Sequence, residues 1–185
     1  MVDAKLTHEE QMMARAINNA TKARPRCMPN PWVGAVLVSS DGQVFDGFTQ
    51  EFGGEHAETV CLNEAGEKAQ GATLFVTLEP CSHIGKTGPC VERIIESRSS
   101  RVVIGMKDPD HQVYGEGIKS LQNAGIDVVV GVLETLVSDQ LAPYVHHRKT
   151  GRPYVVLKIA TTLDGKVAAP DGSSQWITGP EARRE

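Results

Sequence analysis

Two short motifs carry side chains that together could bind a metal ion and transfer protons. The first contains His56 and Glu58, and the second, at residues 80–90, contains Cys81 and Cys90 with eight residues between them. One imidazole and two thiolates are a common ligand set for Zn²⁺, and three protein ligands leave a fourth position for water. A zinc ion can lower the pKa of such a water to about 7. The pattern therefore predicts a catalytic zinc site with His56, Cys81 and Cys90 as ligands.

Glu58 is predicted to be the general acid/base of this site. It lies two residues from a ligand and off the metal, so it could take a proton from the water and return it to the substrate and the leaving amine. Residues two apart point to different sides of a helix, and His56 and Glu58 can therefore face one ion only where a helix begins. We expect that helix to begin at His56.

The two cysteines are expected to reach the metal from different elements. Gly85, Gly88 and Pro89 lie between them and rule out one continuous helix. Cys81 is therefore predicted to end a strand. Cys90 is predicted to begin a helix, whose positive dipole end favours the thiolate.

Simpler interpretations stay open for these residues. Cys81 and Cys90 could instead form a disulfide. The zinc site could be structural and closed, with His83 as a fourth ligand. Glu58 could be a solvated carboxylate that the helix dipole favours. The two isolated cysteines are interpreted as packing residues.

The surrounding sequence alternates between strand and helix patterns. A capping-box pattern at Thr7 and Glu10 predicts a first helix that ends at Arg24-Pro25, and Asp41-Gly42 predicts a two-residue hairpin. Strands are predicted at 33–38, 44–48, 73–78, 101–106 and 127–132, and further helices at 56–65, 90–97, 117–124 and from 133 towards 147. This order predicts an α/β fold of three layers, α/β/α, around a mixed, mainly parallel sheet.

Composition favours a globular protein that acts on small molecules. The 185 residues are 40% hydrophobic and carry a net charge of -4, with a pI near 5.9 and no dense basic run, which gives no attraction to nucleic acid. We find no apolar run of membrane-spanning or signal-peptide length. The isolated cysteines suit a reducing compartment. A cytoplasmic protein without membrane contact is predicted.

The motifs also resemble a known family. His-Ala-Glu at 56–58, followed by Pro-Cys at 80–81 and a second cysteine, resembles the signature of the zinc nucleobase deaminases. The longer cysteine spacing and Thr-Leu-Glu-Pro-Cys-Ser-His at 77–83 resemble the diaminohydroxyphosphoribosylaminopyrimidine deaminases of riboflavin biosynthesis. Asn-Pro-Trp-Val-Gly at 30–34 and Lys-Asp-Pro-Asp at 107–110 are similar to pocket segments of that family. The resemblance covers nearly all of residues 7–150 and implies a cytidine-deaminase-like fold.

The resemblance implies a reaction and a set of substrate contacts. The reaction is hydrolytic deamination of 2,5-diamino-6-ribosylamino-4(3H)-pyrimidinone 5′-phosphate to 5-amino-6-ribosylaminouracil 5′-phosphate, with release of ammonia. The residues implied to contact the base or the ribose phosphate are Asn30, His83, Lys86 and Asp108. A lysine at position 86 suits a phosphate. The resemblance also suggests a homodimer or larger homo-oligomer.

Three positions depart from the family's usual residues. Thr49 stands where the family often has His, Asp110 where it often has Asn, and Gly88 where it often has Pro. An acidic Asp110 would repel a nearby phosphate, so it is expected either to face the base or to make no such contact.

A second domain is predicted to begin after a linker at residues 149–153. From Arg152 the sequence resembles the opening of the NADPH-dependent reductase domain of bifunctional family members, which divides the chain into a deaminase domain at 1–150 and a reductase fragment at 151–185. The resemblance implies that Ala160 and Trp176 contact NADPH and that Ser174 contacts the reductase substrate. A nucleotide-binding domain needs about 100 residues to bury its sheet, so no reductase activity is expected from residues 1–185 alone.

Two other functions compete with this interpretation. A cytidine, deoxycytidylate or tRNA-adenosine deaminase would share the zinc chemistry but have a different pocket. A non-catalytic zinc-stabilised interaction module would share the ligands and have no turnover.

Overall fold

The computed structural model describes residues 6–24, 26–83, 88–110 and 113–184. The chain divides between Pro153 and Tyr154 into two compact units. All helices and strands found among the described residues belong to the first unit, whereas the described residues of the second form turns and irregular chain.

The first helix begins where the sequence predicts. Helix α1 (His8–Ala23) is capped by Thr7, whose hydroxyl accepts a hydrogen bond from the Glu10 amide at 3.3 Å. The Glu10 carboxylate in turn accepts one from the Thr7 amide at 2.8 Å, which completes the predicted capping box.

The sheet has five strands, β1 (Gly34–Val38), β2 (Val44–Phe48), β3 (Thr73–Leu78), β4 (Arg101–Met106) and β5 (Asp127–Val130). Their order across the sheet is β2-β1-β3-β4-β5. Strand β1 is antiparallel to both of its neighbours, while β3, β4 and β5 are parallel to one another. Four of the five strands therefore run in one direction, which confirms the mixed, mainly parallel sheet.

The hairpin between β1 and β2 is longer than predicted. Ser39 pairs with Gln43, leaving three residues in the loop rather than two, and Gly42 has a φ of 82°. A three-residue hairpin loop commonly ends in a left-handed residue, a conformation that glycine adopts without steric cost.

The remaining helices are α2 (Ala57–Ala65), α3 (Cys90–Glu96), α4 (Glu116–Asn123), α5 (Glu134–Gln140) and α6 (Ala142–Thr150), with a short 3₁₀ turn at Gly66–Ala69. On one face of the sheet, Met13 and Ala16 of α1 pack on Val36, Phe75 and Val103. Helices α2, α3 and α4 contribute to a second core cluster, which includes residues of the other face. Consecutive residues of β1, β3 and β4 are buried, so both faces of the sheet are covered. These layers confirm the predicted α/β/α architecture.

The predicted continuous helix from Leu133 towards His147 is wrong. The structure has two helices, which meet at Leu141, and Pro143 lies in the first turn of the second. A proline has no amide hydrogen to donate to the carbonyl of Asp139, and its ring would clash with that carbonyl in a continuous helix. At the first turn of a new helix neither problem arises.

A glycine on β2 allows α2 to approach the sheet closely. A Cβ on Gly47 would collide with the carbonyl oxygen of Ala57 and lie 2.7 Å from the Cys61 sulfur. The first turn of α2, which carries Glu58 and directly follows His56, thereby lies close to the sheet.

Among the helices of the described residues, none combines the length and the apolar character needed to cross a lipid bilayer.

Candidate metal centre

Three predicted ligands converge at the ends of a strand and two helices. His56 is the N-cap of α2, Cys81 lies three residues after β3, and Cys90 is the first residue of α3. Their ligand atoms all lie within 4.8 Å of one another. The Nδ1 atom of His56 is 3.2 Å from the Cys90 sulfur and 3.6 Å from the Cys81 sulfur. One imidazole nitrogen and two sulfurs facing a common point form a donor set that fits Zn²⁺.

The backbone explains how residues two apart reach the same place. His56 has extended dihedral angles, φ -76° and ψ 160°, and the helix begins only at Ala57. His56 and Glu58 consequently both line the same cavity.

Hydrogen bonds hold the two cysteines together across the loop that joins them. The Cys90 amide donates to the Cys81 sulfur at 3.4 Å, and the Val91 amide donates to the Cys81 carbonyl at 3.2 Å. All four cysteines of the chain are free, so the disulfide alternative for this pair is wrong. Among the described residues, the ligand cluster consists of the three predicted side chains, and His83 is not part of it.

The pKa values of the two thiols are shifted in opposite directions. A hydrogen bond from Cys90 and another from His56 lower the pKa of Cys81 to about 4. The adjacent Cys81 sulfur and burial raise the pKa of Cys90 well above its usual value. The hydrogen bond to Cys81 also raises the pKa of His56. One thiolate is thus stabilised by its neighbours, and binding of a dication releases the protons that remain on the ligands.

Glu58 lies at the cavity wall beside this cluster and is buried. Burial is the main cause that raises the pKa of its carboxyl group, while His56 opposes the shift. A buried carboxyl group with a raised pKa suits reversible proton transfer.

The cavity beside the cluster has a volume of about 280 Å³. Asn30, His83 and Asp108, three of the four predicted substrate residues, line it together with Thr49 and Asp110. Lys86, the fourth, lies outside the described residues. The structure therefore brings segments that are far apart in sequence to one pocket next to the candidate metal centre.

Asp108 is held in place from two sides. The Tyr144 hydroxyl donates to both of its carboxylate oxygens, at 2.9 and 3.1 Å, and the Asp110 amide donates to Oδ1 at 2.9 Å. Burial raises the pKa of Asp108, and these hydrogen bonds oppose that shift.

Glu79 supports this pocket and was not predicted. Its Oε2 accepts hydrogen bonds from the amides of Asp108 and Gly115, at 3.3 and 3.0 Å, and its Oε1 accepts from Gly117 and Ile118, at 3.1 and 3.3 Å. One buried carboxylate thus fixes the loop that follows β4 to the end of β3. The available sequence signal was an acidic residue directly after an apolar strand.

Helix α6 supplies two further cavity residues that sequence reasoning missed. Tyr144 and Arg148 line the cavity and lie four residues apart, the spacing that places two side chains on one helix face. Arg148 Nη1 is 3.2 Å from Asp110 Oδ2. No local motif connects α6 with the metal ligands, so only the tertiary structure reveals these residues.

The three residues predicted to serve a reductase lie together in the second unit. Ala160, Ser174 and Trp176 line one pocket, and the guanidinium carbon of Arg183 is 3.8 Å from the centroid of the Trp176 ring.

An α/β/α fold with a His, Cys and Cys cluster beside a buried glutamate defines the cytidine-deaminase-like class of zinc proteins. Residues 6–106 match the zinc-binding region of cytidine and deoxycytidylate deaminases, and the chain belongs to this family. Residues 153–185 separately match the RibD C-terminal domain. The first match confirms the resemblance drawn from the metal-binding motifs.

Within this family, the chain is similar to several curated riboflavin biosynthesis proteins. The riboflavin biosynthesis protein RibD of Escherichia coli is 46% identical over 96% of the chain, and that of Aquifex aeolicus is 45% identical over 95%. These matches cover 48% and 49% of the relatives, so the chain spans about half the length of the curated relatives it matches.

Solved structures agree with the fold. The deaminase/reductase of Thermotoga maritima superposes with a TM-score of 0.89 at 45% identity, covering 95% of this chain and 51% of that one. The Aspergillus oryzae Rib2 deaminase has a TM-score of 0.61 at 28% identity, covering 76% of this chain and 94% of that one. The cytidine-deaminase-like fold is thereby confirmed.

Proposed function

We propose that this chain is a zinc-dependent pyrimidine deaminase. The observation that carries the proposal is the cluster of His56, Cys81 and Cys90 beside a cavity with Glu58 buried in its wall. The three ligands would hold zinc, which when bound supplies a Lewis acid that makes water nucleophilic near neutral pH. The absence of His83 from the cluster favours a site with an open position over a closed structural site.

Glu58 would move the protons of the reaction. Its carboxylate takes a proton from the attacking water and delivers it to the leaving amino group, so that water replaces the amine and ammonia departs. Burial keeps this carboxyl group away from competing solvent. The buried position also supports its role as a shuttle rather than a solvated helix-end charge.

The proposed substrate is 2,5-diamino-6-ribosylamino-4(3H)-pyrimidinone 5′-phosphate, which loses its 2-amino group. The identity to RibD proteins supports this substrate over cytidine or deoxycytidylate. Asn30, His83 and Asp108 would contact the substrate, since they provide amide, imidazole and carboxyl groups along the cavity. We retain Lys86 as a proposed phosphate contact.

The domain assignment remains part of the proposal. Residues 1–150 would form the deaminase domain, and 151–185 the opening of a reductase domain in which Ala160 and Trp176 serve NADPH and Ser174 serves the substrate. NADPH chemistry would belong to a complete reductase domain. We also propose a homo-oligomeric protein, and a cytoplasmic one because its four cysteines are free.

Ammonia release from the proposed substrate, with zinc quantified in the same sample, tests this function. We expect about one zinc per chain. In E58Q, turnover should fall by about 10²- to 10⁴-fold, the usual contribution of a general acid/base, with zinc and folding retained. The matched control is E64Q, which changes an exposed glutamate of the same helix and should leave turnover unchanged.

Other outcomes would select the competing functions. Ammonia release from cytidine or deoxycytidylate, without release from the riboflavin precursor, would contradict the substrate. Bound zinc with no turnover of any amine in the wild-type protein would support the interaction module.

A further inference from the structure

The cavity beside the metal cluster contains an excess of acidic groups. Glu58, Glu79, Asp108 and Asp110 all line it, whereas Arg148 is the one lysine or arginine among its described lining residues. A phosphorylated substrate entering this cavity would be repelled by any carboxylate that lacks a compensating charge.

Arg148 is positioned to compensate one of these carboxylates. Its Nη1 lies 3.2 Å from Asp110 Oδ2, and its guanidinium carbon lies 5.2 Å from the centroid of the Tyr144 ring. Tyr144 in turn donates to Asp108, which accepts from the Asp110 amide. Helix α6 thus contacts both acidic residues of the loop after β4, through side chains four residues apart.

The surroundings of this pair favour a substantial electrostatic effect. Asp110 is mostly shielded from solvent, and Arg148 is partly exposed at the cavity. A charge that is mostly shielded from solvent, as that of Asp110 is, acts on its neighbours more strongly than a charge on an open surface, because water screens it less.

We propose that Arg148 determines specificity for a phosphorylated substrate by neutralising Asp110. It does so without taking part in the reaction at the pyrimidine ring. With Arg148 in place, the Asp110 carboxylate does not repel the phosphate, and the cavity accepts the 5′-phosphate of the pyrimidine riboside. This inference rests on the deaminase function proposed above and names a residue that sets its substrate class.

Steady-state kinetics of R148Q, D110N and the double variant test the proposal, with the 5′-phosphate substrate and its dephosphorylated riboside compared. In R148Q, KM for the phosphorylated substrate should rise about tenfold, because the Asp110 carboxylate loses the positive charge of the guanidinium that faces it. The values of kcat and of KM for the riboside should change little. Adding D110N to R148Q should return KM to within about threefold of wild type, since the repelling charge is gone.

The Arg15–Asp46 pair is the matched control. It joins α1 to β2 at 2.6 Å, is also partly exposed, and does not include cavity residues. R15Q and D46N should leave KM for both substrates unchanged.

Binding to zinc-loaded E58Q, measured by calorimetry with the two ligands, gives a second readout that needs no turnover. A phosphate-dependent loss of affinity in E58Q/R148Q, restored by D110N, supports the proposal. An equal loss for both ligands, or no restoration by D110N, overturns it. Absence of ammonia release by the wild-type protein would instead contradict the proposed function, while the binding comparison would still decide the role of Arg148.

Discussion

Two apolar runs of similar composition differ in burial and in strand pairing. In the first unit, Ala35, Val36 and Leu37 of β1 are fully buried, and β1 is paired with a strand on each side. In the second unit, Val155, Val156 and Leu157 are largely exposed and form no strand within the described residues. Both runs contain valine, a residue that favours strands. The difference shows that propensity produces a strand only where neighbouring strands and a covering layer accept it.

The pockets of the two units also differ in how well their lining residues are buried and supported. The cavity at the metal cluster is built by residues from both sheet and helices, with Glu79 and Asp108 buried and hydrogen-bonded. The pocket of the second unit includes Trp176, whose side chain is largely exposed. Precise positioning of catalytic groups requires supporting contacts, and in the described residues such contacts surround the first pocket.

Zinc removal should produce the largest difference in stability between the two units, because the proposed zinc ligands lie in the first unit. At free zinc about 1,000-fold above its Kd, bound zinc stabilises the first unit by about 4 kcal/mol, and a chelator removes that free energy. Thermal unfolding followed by near-ultraviolet circular dichroism, with and without chelator, measures it. The metal-ligand account would be contradicted if C81S, in which one ligand is removed, kept both the zinc and the zinc-dependent stability.

Truncation of matched leucines should give the next largest difference. Leu37 is 0% exposed and Leu157 is 79% exposed. L37A should lower the free energy of unfolding by about 3 kcal/mol because it leaves a cavity in the core, whereas L157A should change it by less than about 0.5 kcal/mol. Urea denaturation of both variants measures the two values. Similar losses in the two variants would show that the second apolar run is buried in the folded protein.

Replacement of Glu79 should have a smaller effect that is confined to the first unit. In E79Q one accepting oxygen becomes an amide that faces two backbone N–H donors, so about 2 kcal/mol of stability should be lost. KM should also rise because these donors hold the loop that carries Asp108. Urea denaturation and ammonia-release kinetics measure the two effects. E181Q, in an exposed part of the second unit, is the control and should change neither quantity.

The two tryptophans report on the two units separately, and their difference is a spectroscopic one. Trp32 is 7% exposed and Trp176 is 70% exposed. Acrylamide should quench the fluorescence of W32F, which retains Trp176, several times more strongly than that of W176F. Equal quenching of the two variants would contradict the described difference in exposure.

Much of the fold could be predicted from local patterns. The bounds of β2, β3 and β4 agree with the predicted ranges because these short stretches, rich in residues that favour strands, are bounded by turn or polar residues. The break at Leu141 was missed because a proline in the first turn of a helix fits the helical pattern that continues beyond it.

The candidate site was predictable only where its residues lie in recognisable motifs. His56, Glu58, Cys81 and Cys90 lie in two motifs whose spacing reflects the local backbone. Glu79 has a role that depends on four amides brought to it by the fold, and Arg148 reaches the cavity from a helix near the end of the first unit. Such long-range contacts leave no periodic or spacing signal in a single sequence.

The most direct test of the zinc centre is X-ray absorption spectroscopy of the zinc-loaded protein at the zinc edge. We expect two sulfur ligands near 2.3 Å and one imidazole near 2.0 Å, the usual distances for such ligands, together with one further light scatterer. Loss of one sulfur scatterer in C81S would identify Cys81 as a zinc ligand. A spectrum with two imidazoles, or with no sulfur, would contradict the site formed by His56, Cys81 and Cys90.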